Sequence, residues 1–175
     1  MTTAIYPGTF DPIHNGHLDI ARRAVRIFDK LIIAVYSRPL KSLLFSTDER
    51  LALLEKALAP IPRVQVVSYD TLTVEFARQV GAHVIVRGLR VFSDFELEFR
   101  MALTNERMAS DIETVCFITS QEHTFLSSST VKEVASLGGD ISGMAPAHVV
   151  EAISARFDQL GDEGTNSMPL VSLRD

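Results

Sequence analysis

Short apolar runs, rich in valine and isoleucine, alternate along the chain with longer segments of helical period. The runs cover residues 4–6, 31–36, 64–67, 83–86 and 114–118. Runs that are apolar on both faces are typical of buried parallel strands, and alternation with helices brings such strands into one sheet. We therefore predict an α/β fold: a Rossmann-like, doubly wound, five-stranded parallel sheet with helices on both faces.

Capping and turn signals delimit the helices between these runs. Helices are predicted over residues 16–28, from a capping box at 46–49 onward, over 72–79, and from a second capping box at 93–96 to about Met108. Two further helices are predicted to begin near Ser128 and near Pro146. No repeat or linker divides the chain. Residues 1–160 are therefore expected to form one domain, and the polar residues 161–175 a flexible C-terminal tail.

Charge and cysteine content argue against several functional classes. The 175 residues carry a net charge of −5, which disfavours nucleic acid or an anionic membrane as the main partner. No signal-peptide pattern and no membrane-length apolar run is visible, so the expected location is cytoplasmic. The single cysteine, Cys116, excludes an intramolecular disulfide, and its apolar neighbours favour a buried thiol.

A segment rich in glycine and histidine follows the first predicted strand. Gly8 lets the chain turn sharply, and Thr9 offers a hydroxyl and an N–H beyond the strand. Gly16 leaves room for a phosphate at the next helix N-terminus, where His17 can donate a hydrogen bond to it. Half of a metal site is the alternative for His14 and His17, but further ligands beside them are not evident.

Basic side chains follow other predicted strands. Arg87 and Arg90 leave the fourth strand, and planar guanidinium groups match phosphate oxygens. Surface salt bridges to Asp94 or Glu96 are the alternative. Lys41, in the loop after the second strand, is either another phosphate ligand or a solvated lysine.

Consecutive serines lie at the start of the helix near Ser128. Ser127, Ser128 and Ser129 combine hydroxyls with the unpaired N–H groups of a helix start, which suits triphosphate oxygens. Serine is also the commonest N-cap residue, so a purely structural role is the alternative.

These motifs resemble those of a known family. His-Asn-Gly-His at 14–17 is similar to the His-x-Gly-His signature of the nucleotidylyltransferase superfamily, which includes class I aminoacyl-tRNA synthetases. The wider stretch Tyr-Pro-Gly-Thr-Phe-Asp-Pro at 6–12, Arg-Gly-Leu-Arg at 87–90 and the serines resemble the phosphopantetheine adenylyltransferase family, over residues 4–160. The resemblance implies transfer of AMP from ATP to 4′-phosphopantetheine, which gives dephospho-coenzyme A and pyrophosphate, by a homo-oligomer that is typically a hexamer.

The resemblance also implies roles for individual residues. The expected catalytic residues are His17, Lys41 and Arg90, and the expected acceptor-binding residues are Thr9, Lys41, Thr73 and Arg87. The ATP-binding residues implied are Thr9, Phe10, His17, Gly88, Leu89, Arg90, Glu98, His123, Thr124, Phe125, Leu126, Ser127, Ser128 and Ser129. A triphosphate in turn implies Mg²⁺, which is expected to bind mainly through the ATP phosphates because no carboxylate cluster marks a protein site.

The reaction needs no activated nucleophile, and none is visible. The chain lacks a Gly-x-Ser-x-Gly elbow, a Walker loop and a Gly-x-Gly-x-x-Gly fingerprint. An acceptor phosphate is already an anion and can attack the α-phosphorus of ATP in line. The alternatives are another adenylyl- or cytidylyltransferase of the superfamily and a non-catalytic nucleotide sensor, whereas the acidic balance disfavours RNA binding.

Overall fold

A computed structural model describes residues 1–40 and 42–167, with 162–167 described by their backbone alone. Its strands are β1 (Thr3–Gly8), β2 (Lys30–Tyr36), β3 (Val64–Tyr69), β4 (Val84–Leu89) and β5 (Glu113–Ile118). They form a five-stranded parallel sheet with the order β3-β2-β1-β4-β5. The predicted doubly wound α/β sheet is confirmed.

Helices cover both faces of this sheet. They are α1 (Asn15–Ala24), α2 (Thr47–Leu58), α3 (Thr73–Gln79), α4 (Phe92–Met108), α5 (Ser128–Ser136) and α6 (Ala147–Ser167), with a 3₁₀ turn at Gln121–His123. Apolar residues of α1, α2, α5 and α6 share one core with one face of the sheet, and α3 packs in a second core on the other face. Successive residues of β1 alternate between the two cores, which explains why the strand is apolar throughout.

Of the two predicted capping boxes, one is confirmed and one is wrong. At the start of α2, Ser46 and Glu49 exchange side chain-to-backbone hydrogen bonds of 3.3 and 2.8 Å. Helix α4 begins earlier than predicted, after Val91, and has no side-chain cap. Asp94 explains the difference, because its carboxylate binds Arg90 one turn earlier in the chain. A charge-assisted pair of this kind is stronger than a neutral cap.

The edge strand β5 is less buried than its sequence predicts. Cys116 is exposed, so the prediction of a buried thiol is wrong. The cause lies in α4, the helix beside β5, which buries only Glu98 and Asn105 of its own residues. The apolar sequence of β5 is therefore not matched by burial of its side chains within this chain.

Two helix ends differ from the sequence pattern. Helix α1 ends at Ala24, before the predicted end at residue 28, and the chain reaches Phe28 by turns. Helix α6 is interrupted at Gly161, where φ is 62°, a value that favours glycine. The backbone is again helical over 162–167, and residues 168–175 of the predicted tail lie outside the described residues, so its flexibility stays a prediction. Among the described helices, none combines the length and hydropathy that crossing a membrane requires.

The sheet opens at its switch point, between β1 and β4. Strand β1 is paired with β2 over its whole length but with β4 only at Ala4↔Val84 and Ile5↔Ile85. Pro7 has no N–H for the ladder, and its carbonyl instead accepts a 2.8 Å hydrogen bond from Nη1 of Arg87. A crevice at the carboxyl ends of the strands is where doubly wound sheets bind ligands.

Candidate active site

The first cleft lies at the carboxyl ends of β1 and β4 and has a volume of about 350 Å³, a size suited to small molecules. Its wall includes most of the predicted nucleotide site: Thr9, Phe10, His17, Gly88, Arg90, Glu98, His123, Leu126, Ser127, Ser128 and Ser129. Arg87, which is predicted to bind the acceptor, also borders this cleft. The fold thus brings together the motifs that follow β1, β4 and β5. The individual roles of these residues stay predictions.

A second cleft, of about 370 Å³, borders the first and lies against α3 and α4. Its own wall contains Tyr36, Tyr69, Thr71, Leu72, Thr73, Met101 and Asn105, among others. Both walls include Pro7, Gly8, Thr9, Arg87 and Glu98. Ligands bound in the two clefts would therefore meet beside Thr9 and Arg87.

Some predicted site residues lie outside the first cleft. Thr73 lines the second cleft. Leu89 and Thr124 are half-buried, Phe125 is exposed, and none of the three borders either cleft. Lys41 lies outside the residues that the structure describes, so its predicted contact with the acceptor phosphate is still a prediction.

His17 lies in the first turn of α1, with its ring stacked on that of His14 at a centroid distance of 3.7 Å. The backbone N–H of His14 donates to Nδ1 of His17 at 3.3 Å, so the proton of a neutral ring is carried by Nε2. Burial lowers the pKa of His17 well below its usual value, and the neighbouring histidine and arginines act in the same direction. His17 is therefore a neutral Nε2–H donor at neutral pH.

Arg87 is held between the two clefts by Glu98, which is 8% exposed. Its Nε and Nη2 donate to the two carboxylate oxygens at 2.7 and 2.6 Å, while Nη1 donates to the carbonyl of Pro7. Burial alone would lower the pKa of Arg87, yet the hydrogen bonds and charge of Glu98 raise it above its ordinary value. Of the five N–H groups of a guanidinium, one on each terminal nitrogen is left for a ligand within the described part of the chain.

Arg90 is fixed on the opposite wall by Asp94 and by the segment before α5. Its Nε and Nη2 donate to the Asp94 carboxylate at 2.9 and 3.0 Å, and Nη1 donates to the carbonyl of Leu126 at 2.9 Å. The salt bridge to Asp94 that the sequence leaves open is thus present. The same bonds orient the guanidinium beside the serines that follow Leu126.

The serines at the start of α5 serve the helix and the cleft together. Ser127 is the N-cap, and its hydroxyl oxygen accepts the N–H of Thr130 at 2.9 Å. The hydroxyl of Ser128 donates to the carbonyl of Pro12 at 2.8 Å. The backbone N–H groups of Ser128 and Ser129 have no acceptor in the described part of the chain, so this helix start can receive an anion.

Comparison with known proteins decides the family. The family model described as cytidylyltransferase-like matches residues 5–134. The phosphopantetheine adenylyltransferase of Roseiflexus sp. (strain RS-1) is 57% identical over 157 residues, which cover 90% of this chain and 98% of that protein. The chain belongs to the phosphopantetheine adenylyltransferase family. The phosphopantetheine adenylyltransferase of Synechococcus elongatus is 54% identical, over 88% of this chain and 93% of that protein. The phosphopantetheine adenylyltransferase of Desulfitobacterium hafniense (strain DSM 10664 / DCB-2) is 51% identical, over 90% of this chain and 96% of that protein.

In this member of the phosphopantetheine adenylyltransferase family, the sharp turn after β1 falls on Phe10. Its φ is 50°, whereas Gly8, to which the sequence assigns the turn, has no positive φ. Glycine is favoured at position 8 for another reason, since a Cβ there would lie 3.0 Å from the Phe10 ring, closer than an ordinary contact. Gly16 is constrained similarly, because its Cβ would lie 3.1 Å from the His14 ring.

Arg50 is a buried residue that the sequence analysis missed. It is 0% exposed, and its Nη1 donates to the carbonyls of Thr9 and Tyr36 at 2.7 and 2.9 Å. It therefore ties the ends of β1 and β2 together beneath the clefts. The signal that could have found it is spacing, since Arg50 lies four residues before Leu54 on the buried stripe of α2.

The charged side chains of the first cleft offer no evident metal site in this adenylyltransferase family member. Its two carboxylates, Asp94 and Glu98, are each taken up by an arginine. Among the described residues, no group of three or more histidine, cysteine, aspartate or glutamate side chains could hold a metal ion. The expected binding of Mg²⁺ mainly through the ATP phosphates stays a prediction.

The buried histidines predict a loss of stability in acid. Burial lowers the pKa of His14 from 6.5 to about 3. Below pH 6.5 the unfolded chain binds a proton that the folded chain excludes, so the free energy of unfolding should fall by about 1.4 kcal/mol per pH unit down to the folded pKa. Urea denaturation at pH 7.5 and 5.5 measures this loss. It should be smaller in His14→Gln, and an equal loss in both proteins would contradict the assignment.

Proposed function

We propose that the chain transfers the adenylyl group of ATP to 4′-phosphopantetheine and releases pyrophosphate, as a step of coenzyme A synthesis. The observation that carries the proposal is the junction of two clefts at Thr9 and Arg87. A transferase that joins two phosphate compounds needs such a junction. The first cleft, with the serines and Arg90, suits the triphosphate, and the second, lined by Tyr69 and Met101, suits a long, partly apolar acceptor arm.

The chemical step needs positioning rather than proton transfer. An oxygen of the acceptor phosphate attacks the α-phosphorus, the bond from α-phosphorus to the bridging oxygen breaks, and pyrophosphate leaves with the electron pair. The attacking oxygen is already anionic, so no general base is required. Arg87, and Lys41 by family resemblance, would orient the acceptor phosphate in line with the leaving group.

Stabilisation of the transition state is assigned to groups around the first cleft. The neutral Nε2–H of His17 would donate to an α-phosphate oxygen, and this bond strengthens as negative charge gathers there. Arg90 and the N–H groups of Ser128 and Ser129 would bind the β- and γ-phosphates. Mg²⁺ would come with ATP, bound mainly through the phosphate oxygens, and would neutralise charge on the departing pyrophosphate.

Product analysis tests the proposal. Purified protein with ATP, Mg²⁺ and 4′-phosphopantetheine should give dephospho-coenzyme A, detected by mass, and one pyrophosphate per product. EDTA should abolish the reaction. Pyrophosphate release with CTP or with nicotinate mononucleotide, but not with 4′-phosphopantetheine, would favour another transferase, and ATP binding without pyrophosphate release would favour a nucleotide sensor.

The surface of α4 supports assembly into a homo-oligomer, with a hexamer as the family resemblance implies. The residues that α4 buries are polar, whereas Phe92, Phe95 and Phe99 on one side of it are 85%, 49% and 52% exposed. Apolar area of this extent on one helix is typical of a surface that another protein covers. A second copy is the occupant that the family resemblance favours.

Charge introduced on α4 should dissociate the assembly. We expect the double substitution Phe95→Glu/Phe99→Glu to reduce the particle mass measured by light scattering after gel filtration, because carboxylates cannot be buried without partners. Ile27→Glu is the matched control, since Ile27 is an apolar residue that is 66% exposed and follows α1 rather than belonging to α4. A wild-type protein that is already monomeric would contradict the proposal.

A further inference from the structure

Asp11 lies beneath the first cleft and does not border it. It is 1% exposed and is not part of the wall. Its carboxylate accepts the backbone N–H of Leu44, at 3.1 Å to Oδ1 and 2.9 Å to Oδ2, and that of Phe45, at 2.9 Å to Oδ1. Oδ2 also accepts a 2.8 Å charge-assisted bond from Nζ of Lys132.

These bonds join three segments that the proposed reaction uses. Asp11 itself follows Thr9 in the loop after β1. Leu44 comes three residues after Lys41 in the connection between β2 and α2, the acceptor-phosphate loop. Lys132 lies on α5, one turn beyond Ser128.

A second bond strengthens the connection to α5. The hydroxyl of Ser128 donates to the carbonyl of Pro12, the residue next to Asp11, at 2.8 Å. The start of α5 is thus attached to the loop after β1 at two points, one turn apart on the helix. The helix cannot tilt away from that loop without breaking one of these bonds.

We propose that Asp11 is a positioning residue, whose carboxylate sets the spacing between the acceptor-phosphate loop and the start of α5, where the triphosphate is bound. This inference rests on the proposed function, which assigns the acceptor phosphate to that loop and the triphosphate to the start of α5. In-line transfer requires the attacking oxygen and the α-phosphorus to be held within a few tenths of an ångström, and a displacement of about 1 Å lowers the rate by about 10²-fold.

A carboxylate is the group that this position needs. It accepts bonds from two backbone N–H groups and an ammonium at the same time and balances the charge of Lys132, whose side chain is 13% exposed. An asparagine has one acceptor oxygen, and its NH₂ group would face another donor. Asp11→Asn should therefore loosen both the 44–45 segment and α5.

Steady-state kinetics on a cycle of variants tests the role. Asp11→Asn should lower kcat by about 10²-fold and raise the KM of both substrates. Lys132→Met should raise mainly the KM of ATP, because it removes the bond between Asp11 and α5 but keeps the bonds from Asp11 to Leu44 and Phe45. In the double variant Asp11→Asn/Lys132→Met, removal of the unpaired ammonium should restore the thermal midpoint toward wild type while kcat stays low.

Recovery of stability without recovery of turnover is the result that a merely structural role would not give. If the double variant regains turnover together with its thermal midpoint, or if Asp11→Asn keeps wild-type kcat, the proposal is overturned. Asp111→Asn breaks an exposed ion pair with Arg78 and should change neither quantity. An inactive wild-type protein would instead contradict the proposed function, which separates the two failures.

Discussion

His17→Ala is expected to lower turnover by about 10²–10³-fold, with a smaller change in the affinity for ATP. The reason is the charge state and orientation of the ring. Its Nδ1 accepts the backbone N–H of His14, its pKa is far below the usual value, and its remaining Nε2–H can donate to an α-phosphate oxygen. A donor of this kind acts mainly in the transition state, where the charge is greatest.

Single-turnover rates and ATP binding, measured separately on His17→Ala, check this expectation. Because the ring of His17 is neutral in the folded protein, its removal should leave the shape of the pH–rate profile between pH 6 and 8 unchanged. His83→Ala is a matched control, since His83 is exposed, precedes β4 at the end of the strand opposite the clefts, and borders neither cleft. Near-normal turnover in His17→Ala, or the loss in this variant of a titration near pH 6.5 that the wild-type rate shows, would contradict the assignment.

The meeting of the site segments could be predicted because it follows from the direction of the strands. Parallel strands end at one edge of a sheet, so Thr9 after β1, Arg90 after β4 and Ser127 after β5 had to approach each other once the strands were recognised. The opening between β1 and β4 also has a local cause, the missing N–H of Pro7. The meeting of the strand ends and the opening between β1 and β4 both depend on backbone geometry. Backbone geometry can be predicted from hydrophobic periodicity and from the position of proline.

The choice of ion-pair partners could not be predicted in the same way. The sequence leaves Asp94 and Glu96 as candidates for both arginines, but Arg87 pairs with Glu98 and Arg90 with Asp94. The partner depends on where α4 begins and which side it turns to the sheet, and its start was wrongly predicted. The exposure of Cys116 has the same origin, because it is decided by how much of β5 the helix covers.

Arg87→Met is expected to impair use of the acceptor and the stability of the fold together. The variant would leave Glu98, which is 8% exposed, as a buried carboxylate without its cation, and breaking such a pair costs about 3–5 kcal/mol. Loss of charge-assisted bonds to the acceptor phosphate, worth about 1.5–3 kcal/mol, should lower kcat/KM for the acceptor by about 10–100-fold. The KM of ATP should change less, since Arg90 and the start of α5 remain.

Arg87→Lys separates these two effects because it keeps the charge but cannot reproduce both bonds to Glu98 together with the bond to Pro7. Its loss of stability, measured by urea denaturation, should be smaller than that of Arg87→Met, while kcat/KM for the acceptor still falls by about 10-fold. If the Arg87 variants raise the KM of ATP alone, Arg87 binds the nucleotide rather than the acceptor. Because Arg87 borders both clefts, the ratio of the two KM changes reports which phosphate its remaining N–H groups bind.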